Sequence, residues 1–220
     1  MRGVLHFLSY HFVLNRPATQ TTRAAGFRLT VRPTVFHPRY FISSESFAKF
    51  IDGLNLSGKT VADVGTGTGI LALAAARAGA ETVIAADINP NAAISAAENA
   101  AANGLGGQVK GLCSNLLAAL APRPLFDVIL SSPPKHAGQP RNLADAGWHA
   151  GAGNKNIAAL FEQARERLKP DGRFYLMISS DSDLDLYGSL IANAGFRAKL
   201  VLEHSIYIES FLLYELVLST

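Results

Sequence analysis

The run Asp63-Val64-Gly65-Thr66-Gly67-Thr68-Gly69 decides how the rest of the chain is read. It follows the short apolar stretch Val61–Val64 and opens the helical stretch Ile70–Ala78, so it turns a strand into a helix. Glycines at alternate positions let the backbone turn tightly and let a ligand approach the chain closely. In an open α/β sheet, ligands bind beyond the carboxyl ends of the strands, which is where this loop falls. The spacing is not a dinucleotide fingerprint: Gly-x-Gly-x-x-Gly counted from Gly65 ends on Ile70, and counted from Gly67 it ends on Ala72. No Lys-Ser/Thr pair follows the loop, which excludes a nucleoside-triphosphate P-loop. Asp87 closes the next strand, 18 residues after Gly69. A carboxylate there either accepts two hydrogen bonds from a ribose diol or caps the helix ahead of Pro90.

Working outward, strands and helices alternate. Thr82–Ala86 reads as a buried strand and Asn91–Ala102 as an alanine-rich helix. Val109–Cys113 and Phe126–Leu130 read as strands, and Ile157–Leu168 as a helix ended by Pro170. Phe174–Ile178 is a strand, Leu184–Ala194 a helix stopped by Gly195, and residues 197–206 and 210–218 are two closing strands. The expected fold is α/β: a mostly parallel seven-stranded sheet with helices on both faces. The final pair leaves no room for a crossover helix, so the last strand is expected to run antiparallel. Upstream, Ser43 and Ser44 ahead of Phe47, Phe50, Ile51 and Leu54 predict a capped amphipathic helix. Phe27, Leu29 and Val31 alternate with Arg28, Thr30 and Arg32, the period of a half-buried strand ending near Pro33. Residues 17–25 read as a linker. The apolar stretch Val4–Leu14 lacks a clean small-x-small cleavage site and is expected to pack on the main domain rather than act as a secretion signal. The expected division is an N-terminal basic extension or cap, 1–42, and a main domain, 43–220.

Composition bounds the function. The chain has 220 residues, 49% of them hydrophobic and 17% charged, which excludes intrinsic disorder. One cysteine, Cys113, excludes a disulfide framework and a multi-cysteine metal site, and it reads as a buried strand residue. No apolar run reaches the ~18 residues of a membrane span, so no membrane is expected and the cytoplasm is the default. The net charge of +3 is uneven. Residues 1–59 carry eight Lys/Arg against only Glu45 and Asp52. Such a basic third either steers an anionic partner or is a solvated surface.

The glycine run followed by Asp87-Ile88-Asn89-Pro90 resembles the first two motifs of the class I S-adenosylmethionine (SAM) dependent methyltransferases, over residues ~33–220. The resemblance implies a Rossmann-like fold, SAM as methyl donor and S-adenosylhomocysteine as product. It implies that Asp63 meets the methionine amino group, directly or through water. Gly65, Thr66, Gly67 and Gly69 would run beneath the cofactor, Asp87 with Ile88 would hold the ribose, and Ser131 would border the site. Where the family often has an acid for the adenine amino group, this chain has Asn115 with Ser114 beside it, a departure that an amide oxygen can serve.

A second motif, Ser131-Ser132-Pro133-Pro134-Lys135, runs off the fourth strand. Two prolines cannot continue a central strand, and they force Ser132 toward an extended conformation. The result is a stiff strand end that presents a side-chain oxygen and carbonyls as acceptors, or simply a strand terminator. It resembles the Asn/Asp/Ser-Pro-Pro-aromatic motif of amino-methyltransferases such as the HemK-like glutamine methyltransferases. His37-Pro38-Arg39 and Trp148-His149-Ala150-Gly151-Ala152-Gly153 are similar to further segments of that family, and its short, single-domain branch matches best. The resemblance implies that Ser132, Pro133 and Pro134 are catalytic, holding an –NH₂ group so that its nitrogen faces the methyl group. Some short members of that branch need a small zinc-binding activator subunit, and a homodimer is a further expectation. Lys135 replaces the family's aromatic residue. It would pair with a substrate carboxylate or phosphate, or face solvent.

About twenty residues separate Pro133 from the next helix, a length expected of a substrate lid. The loop carries Lys135, His136, Arg141, Trp148 and His149. His136 or His149 would act as general base for a hydroxyl nucleophile, or be a plain surface residue. Trp148 would anchor the loop or offer the substrate a stacking platform, and Tyr40 and Phe41 would pack in the N-terminal cap or wall the pocket. The expected activity is methyl transfer to a nitrogen of a protein glutamine or a nucleobase. The alternatives are a small-molecule N- or O-methyltransferase in which Lys135 binds an anionic group, and an inactive RNA-binding module of the same fold.

Overall fold

The computed structural model describes residues 18–38, 42–134, 138–140, 142, 145, 149, 155–206 and 209–219. The central strands read as near-continuous apolar runs because the sheet is covered on both faces. Seven strands form one sheet: β3 (Thr60–Val64), β4 (Thr82–Asp87), β5 (Val109–Cys113), β6 (Phe126–Ser131), β7 (Leu168–Ser179), β8 (Phe196–Ile206) and β9 (Glu209–Leu218). Their spatial order is β5-β4-β3-β6-β7-β9-β8. The pairs from β5 to β7 are all parallel, while β9 runs antiparallel to both β7 and β8. The α/β, Rossmann-like sheet with one antiparallel strand is therefore as expected. Neighbouring residues feed opposite faces: Val128 and Leu130 join one apolar core, and Ile129 the other. Helices α1 (Ile42–Asp52), α2 (Ile70–Arg77) and α3 (Pro90–Ala102) cover the first face. Helices α4 (Lys155–Arg167) and α5 (Leu184–Asn193) cover the second. Among the described residues, no helix is long and apolar enough to cross a membrane.

The stretch read as a linker is in part a strand. β1 (Gln20–Ala24) pairs antiparallel with β2 (Phe27–Val31) as a separate two-stranded sheet. Ala25 and Gly26 join them with φ of 49° and 83°, the sign that a two-residue hairpin turn requires. Phe27 and Leu29 are buried against the α2 side, and Arg77 holds the turn: its guanidinium lies 4.0 Å over the Phe27 ring and donates to the Ala25 carbonyl at 2.9 Å. Two carboxamides from α3 complete the open edge of β2. Asn99 pairs with both backbone groups of Thr30, and Asn103 with both of Arg28.

Two further differences concern strand limits and exposure. β7 starts at Leu168 and runs through Pro170, because Leu168 pairs with Phe126 and a register shift before Val128 absorbs the proline turn. Cys113 is exposed, not buried, because β5 is the sheet edge and its last residue faces solvent.

Candidate active site

Asp63 is fully buried at the end of β3. Its Oδ2 accepts the Thr66 hydroxyl at 2.6 Å and the Ala72 N–H at 3.1 Å, so it clamps the glycine loop to the first turn of α2. Among the described residues, its Oδ1 has no hydrogen-bond partner. Loss of water pushes its carboxyl up to about 7, only partly offset by the two donors. The loop is tied to β4 as well, since the N–H groups of Gly65 and Thr66 donate to the Ala86 carbonyl at 2.9 and 3.1 Å.

The three glycines differ in role. Gly65, Gly67 and Gly69 all have positive φ, at 79°, 56° and 84°. A Cβ on Gly65 or Gly67 would meet nothing within 4 Å, so these two leave the floor of a cleft open. A Cβ on Gly69 would lie 2.8 Å from the Ala96 Cα. Gly69 therefore seats the loop against α3 and is not among the described residues that line the cleft. Asp87 lines the cleft, and its carboxylate accepts the Gly67 N–H at 3.0 Å and the Asn89 N–H at 2.9 Å. Burial raises its carboxyl above the usual range while these donors pull it back. The cap of α3 is Asn89, which accepts the Asn91 N–H at 3.0 Å, so Asp87 is not the helix cap. Asn89 also donates to the carbonyl and hydroxyl of Thr34, a link that no motif in the sequence announced.

The cleft measures about 550 Å³, ample for a nucleoside-sized ligand. Gly65, Gly67, Asp87, Ile88, Asn115 and Leu116 line one side. Ser114 does not join them: it is buried and its Oγ accepts the Ala119 N–H at 3.1 Å, so it shapes the turn after β5. Ser132, Pro133 and Pro134 line the same cleft. Ser131 fixes their strand to β3 by donating to the Val64 carbonyl at 2.9 Å. His149 reaches the cleft too, with its Nδ1 3.4 Å from Oδ1 of the buried Asp145. Tyr40, Phe41, Lys135, His136, Arg141 and Trp148 lie outside the described residues.

The donor set fits SAM. The open floor at Gly65 and Gly67 admits a ligand, Asp87 offers a carboxylate at the end of β4, and the orphaned Oδ1 of Asp63 sits buried behind the loop. Among the described residues, no Lys or Arg lines the cleft, which suits a ligand carrying a sulfonium and an ammonium. Fold and site together have the features of the class I SAM-dependent methyltransferases. The sequence matches the family model described as Methyltransferase small domain over residues 28–187, and the chain belongs to that family.

Relatives agree. Ribosomal protein L11 methyltransferase of Vibrio vulnificus is 51% identical over 61 residues, which is 28% of this chain and 21% of that protein. Its counterpart in Pelotomaculum thermopropionicum is 47% identical over 88 residues, 37% of this chain and 29% of that protein. The matches thus span less than a third of these relatives' own length. Among solved structures, the ribosomal protein L11 methylase of Lactobacillus delbrueckii superposes with a TM-score of 0.60 at 27% identity, covering 80% of this chain and 79% of that one. A 16S rRNA N2 methyltransferase of T. thermophilus, in complex with AdoMet and guanosine, shares the fold with a TM-score of 0.64 at 23% identity, over 92% of this chain and 50% of that one.

Proposed function

We propose that this methyltransferase acts on a nitrogen of a protein side chain, with Ser132 and Pro133 orienting the acceptor. The observation that carries the reading is that Ser132, Pro133 and Pro134 line the same cleft as Gly65, Gly67 and Asp87. When bound, SAM would supply an activated methyl group on its sulfonium to the acceptor nitrogen, leaving as S-adenosylhomocysteine. Asp87 would hold the ribose hydroxyls and Ile88 and Asn115 the adenine side, while Asp63, buried behind the loop, would meet the methionine amino group directly or through water. The Ser132 hydroxyl and the Pro133 carbonyl accept N–H bonds of the acceptor, which turns its lone pair outward. Prolines suit that task because they offer no competing N–H and hold their own shape. Positioning of this kind supplies much of the rate in a displacement that needs no strong base. His149, backed by Asp145, stands at the cleft to take up the proton that the product releases. Residues 43–220 form the catalytic domain and the segment before them its cap, which lends Thr34, Val35 and Phe36 to the cleft wall.

A protein acceptor is favoured over a nucleobase because the relatives near 50% identity are named for a ribosomal protein, while the RNA enzyme supports the fold alone. The test incubates the chain with methyl-tritiated SAM and extract of its source cells, with Ser132→Ala and Asp87→Ala as controls. Label in protein, lost in both variants, is expected. Label confined to nucleic acid or to small molecules would overturn the protein reading.

A further inference from the structure

Thr34 stands in a conformation that its own side chain resists. Its φ is 67°, in the left-handed region, and the side chain is β-branched. Among the described residues, the non-glycine residues with positive φ are Ala25, Thr34 and Leu116. Ala25 makes the hairpin turn, while Thr34 and Leu116 both line the cleft. Backbone strain of this kind gathers where a ligand has to be held.

The local sequence explains the strain. Arg32-Pro33-Thr34-Val35 closes into a turn in which the Val35 N–H donates to the Arg32 carbonyl at 3.2 Å. Proline keeps its own φ near about −65°, so a positive φ at the next residue makes this a type II turn. The third position of such a turn ordinarily holds glycine or asparagine. Asn89 keeps a threonine there. Its Nδ2 donates to the Thr34 carbonyl at 3.1 Å and to Thr34 Oγ1 at 3.0 Å. The Thr34 hydroxyl gives its own proton to the Pro33 carbonyl, which leaves its lone pairs for Asn89. Val35 anchors the far end of the turn, buried with Val31 and Ala92.

Asn89 carries the link onward. It is buried, its Oδ1 caps α3, and its backbone N–H donates to Asp87 Oδ1 at 2.9 Å. The other Asp87 oxygen accepts the Gly67 N–H at 3.0 Å. Two backbone donors therefore set the rotation of the Asp87 carboxylate, and one of them is fixed in turn by the grip of Asn89 on Thr34.

We propose that Thr34 is a positioning residue for the cofactor: through Asn89 it sets the angle at which the Asp87 carboxylate meets the ribose diol. This rests on the reading of Asp87 as the ribose partner. A two-point contact between a carboxylate and a diol depends on direction, so a small swing of Asn89 weakens it. Glycine would make the same turn without strain, but it offers no hydroxyl to Asn89. Threonine strains the turn and supplies the anchor.

Calorimetry with S-adenosylhomocysteine and its 2′-deoxy analogue tests this without turnover. The chains compared are the wild type, Thr34→Ser, Thr34→Val, Thr34→Gly and Asn89→Ser, each checked for folding by a thermal melt without ligand. The wild type is expected to bind S-adenosylhomocysteine about tenfold or more tightly than the deoxy analogue, which leaves a charged acceptor without its partner. Thr34→Ser keeps the hydroxyl and keeps that ratio within about twofold. Thr34→Val keeps the shape without the hydroxyl and brings the ratio to about threefold or less. Asn89→Ser still caps α3 but is too short to grip Thr34, and it lowers the ratio in the same way. Thr34→Gly suits the turn, so the chain stays folded, and it lowers the ratio as well. A ratio unchanged in Thr34→Val and Thr34→Gly would overturn the inference, since both ligands would then weaken by one factor and the turn would be a wall alone. So would a ratio lost in Thr34→Ser. A wild type that binds the two ligands equally would instead remove the reading of Asp87 on which the inference rests.

Discussion

Asn99 and Thr30 are paired as if they belonged to two neighbouring strands: the Asn99 carboxamide accepts the Thr30 N–H at 2.7 Å and donates to its carbonyl at 2.9 Å. The same Nδ2 donates to the Thr68 carbonyl at 2.9 Å, inside the glycine loop. One side chain on α3 thus joins the N-terminal hairpin to the cofactor loop.

Asn99→Ala removes all three bonds and leaves buried backbone groups without partners. A loss of roughly 1–3 kcal/mol is expected, which lowers the melting temperature by roughly 2–10 °C in a chain of this size. SAM affinity should weaken as well, since Thr68 loses its tether. Thermal unfolding with and without SAM checks both effects.

The loop glycines should separate binding from stability. Gly69→Ala drives a methyl group into the Ala96 Cα in a left-handed backbone and should cost roughly 2–4 kcal/mol of stability. Gly65→Ala meets no atom of the described residues within 4 Å and should cost only about 1 kcal/mol, while its methyl group fills ligand space and weakens SAM binding about tenfold or more. Denaturant melts and SAM titrations on both variants make the comparison.

Asp63 makes stability pH-dependent. In the folded chain its carboxyl is pushed up to about 7, above the ordinary value of about 4. Between these values the folded state keeps a proton that the unfolded chain has released. Its contribution to stability is therefore full below about pH 4 and is lost as the pH rises through about 7. Asp63→Asn should flatten that fall in a series of melts from about pH 5 to pH 8. SAM binding should run the other way in the native chain, tightening as Asp63 ionises to meet a cationic amino group.

Ser132→Ala should lower kcat by roughly tenfold to a hundredfold with the Kd for SAM unchanged, because it removes acceptor positioning and leaves the cofactor contacts intact. Single-turnover kinetics beside a SAM titration distinguish this from a folding defect.

The strand–loop–helix core was legible because local chemistry fixes it. The Asp63–Gly69 run, the apolar strands and the Pro90 helix start all sit where sequence reading puts them. Features set by tertiary pairing were not legible. Gln20–Ala24 is polar, and it is a strand only because β2 pairs with it. Cys113 reads as a core residue, yet its exposure depends on β5 being the sheet edge. Pro170 marks a helix end correctly, but the strand already in progress there is defined by Leu168 meeting Phe126. Gly69 and Gly65 look alike in sequence, and only the approach of Ala96 tells them apart. Glu209 has no motif at all, since two strands must meet before it faces the cleft.

β9 follows β8 in the chain yet lies between β7 and β8 in the sheet. Nascent β8 therefore has no strand to join until β9 has been made. The β3–β6 pairing joins Val61 to Val128, a longer reach along the chain than any pairing of β8 with β9, so order of synthesis and not contact separation puts β3 to β6 first. The chain thus lays down the glycine loop and Asp87 before the strands that carry Met177 and Phe211, and the cleft has its full wall only when the last strand has been made.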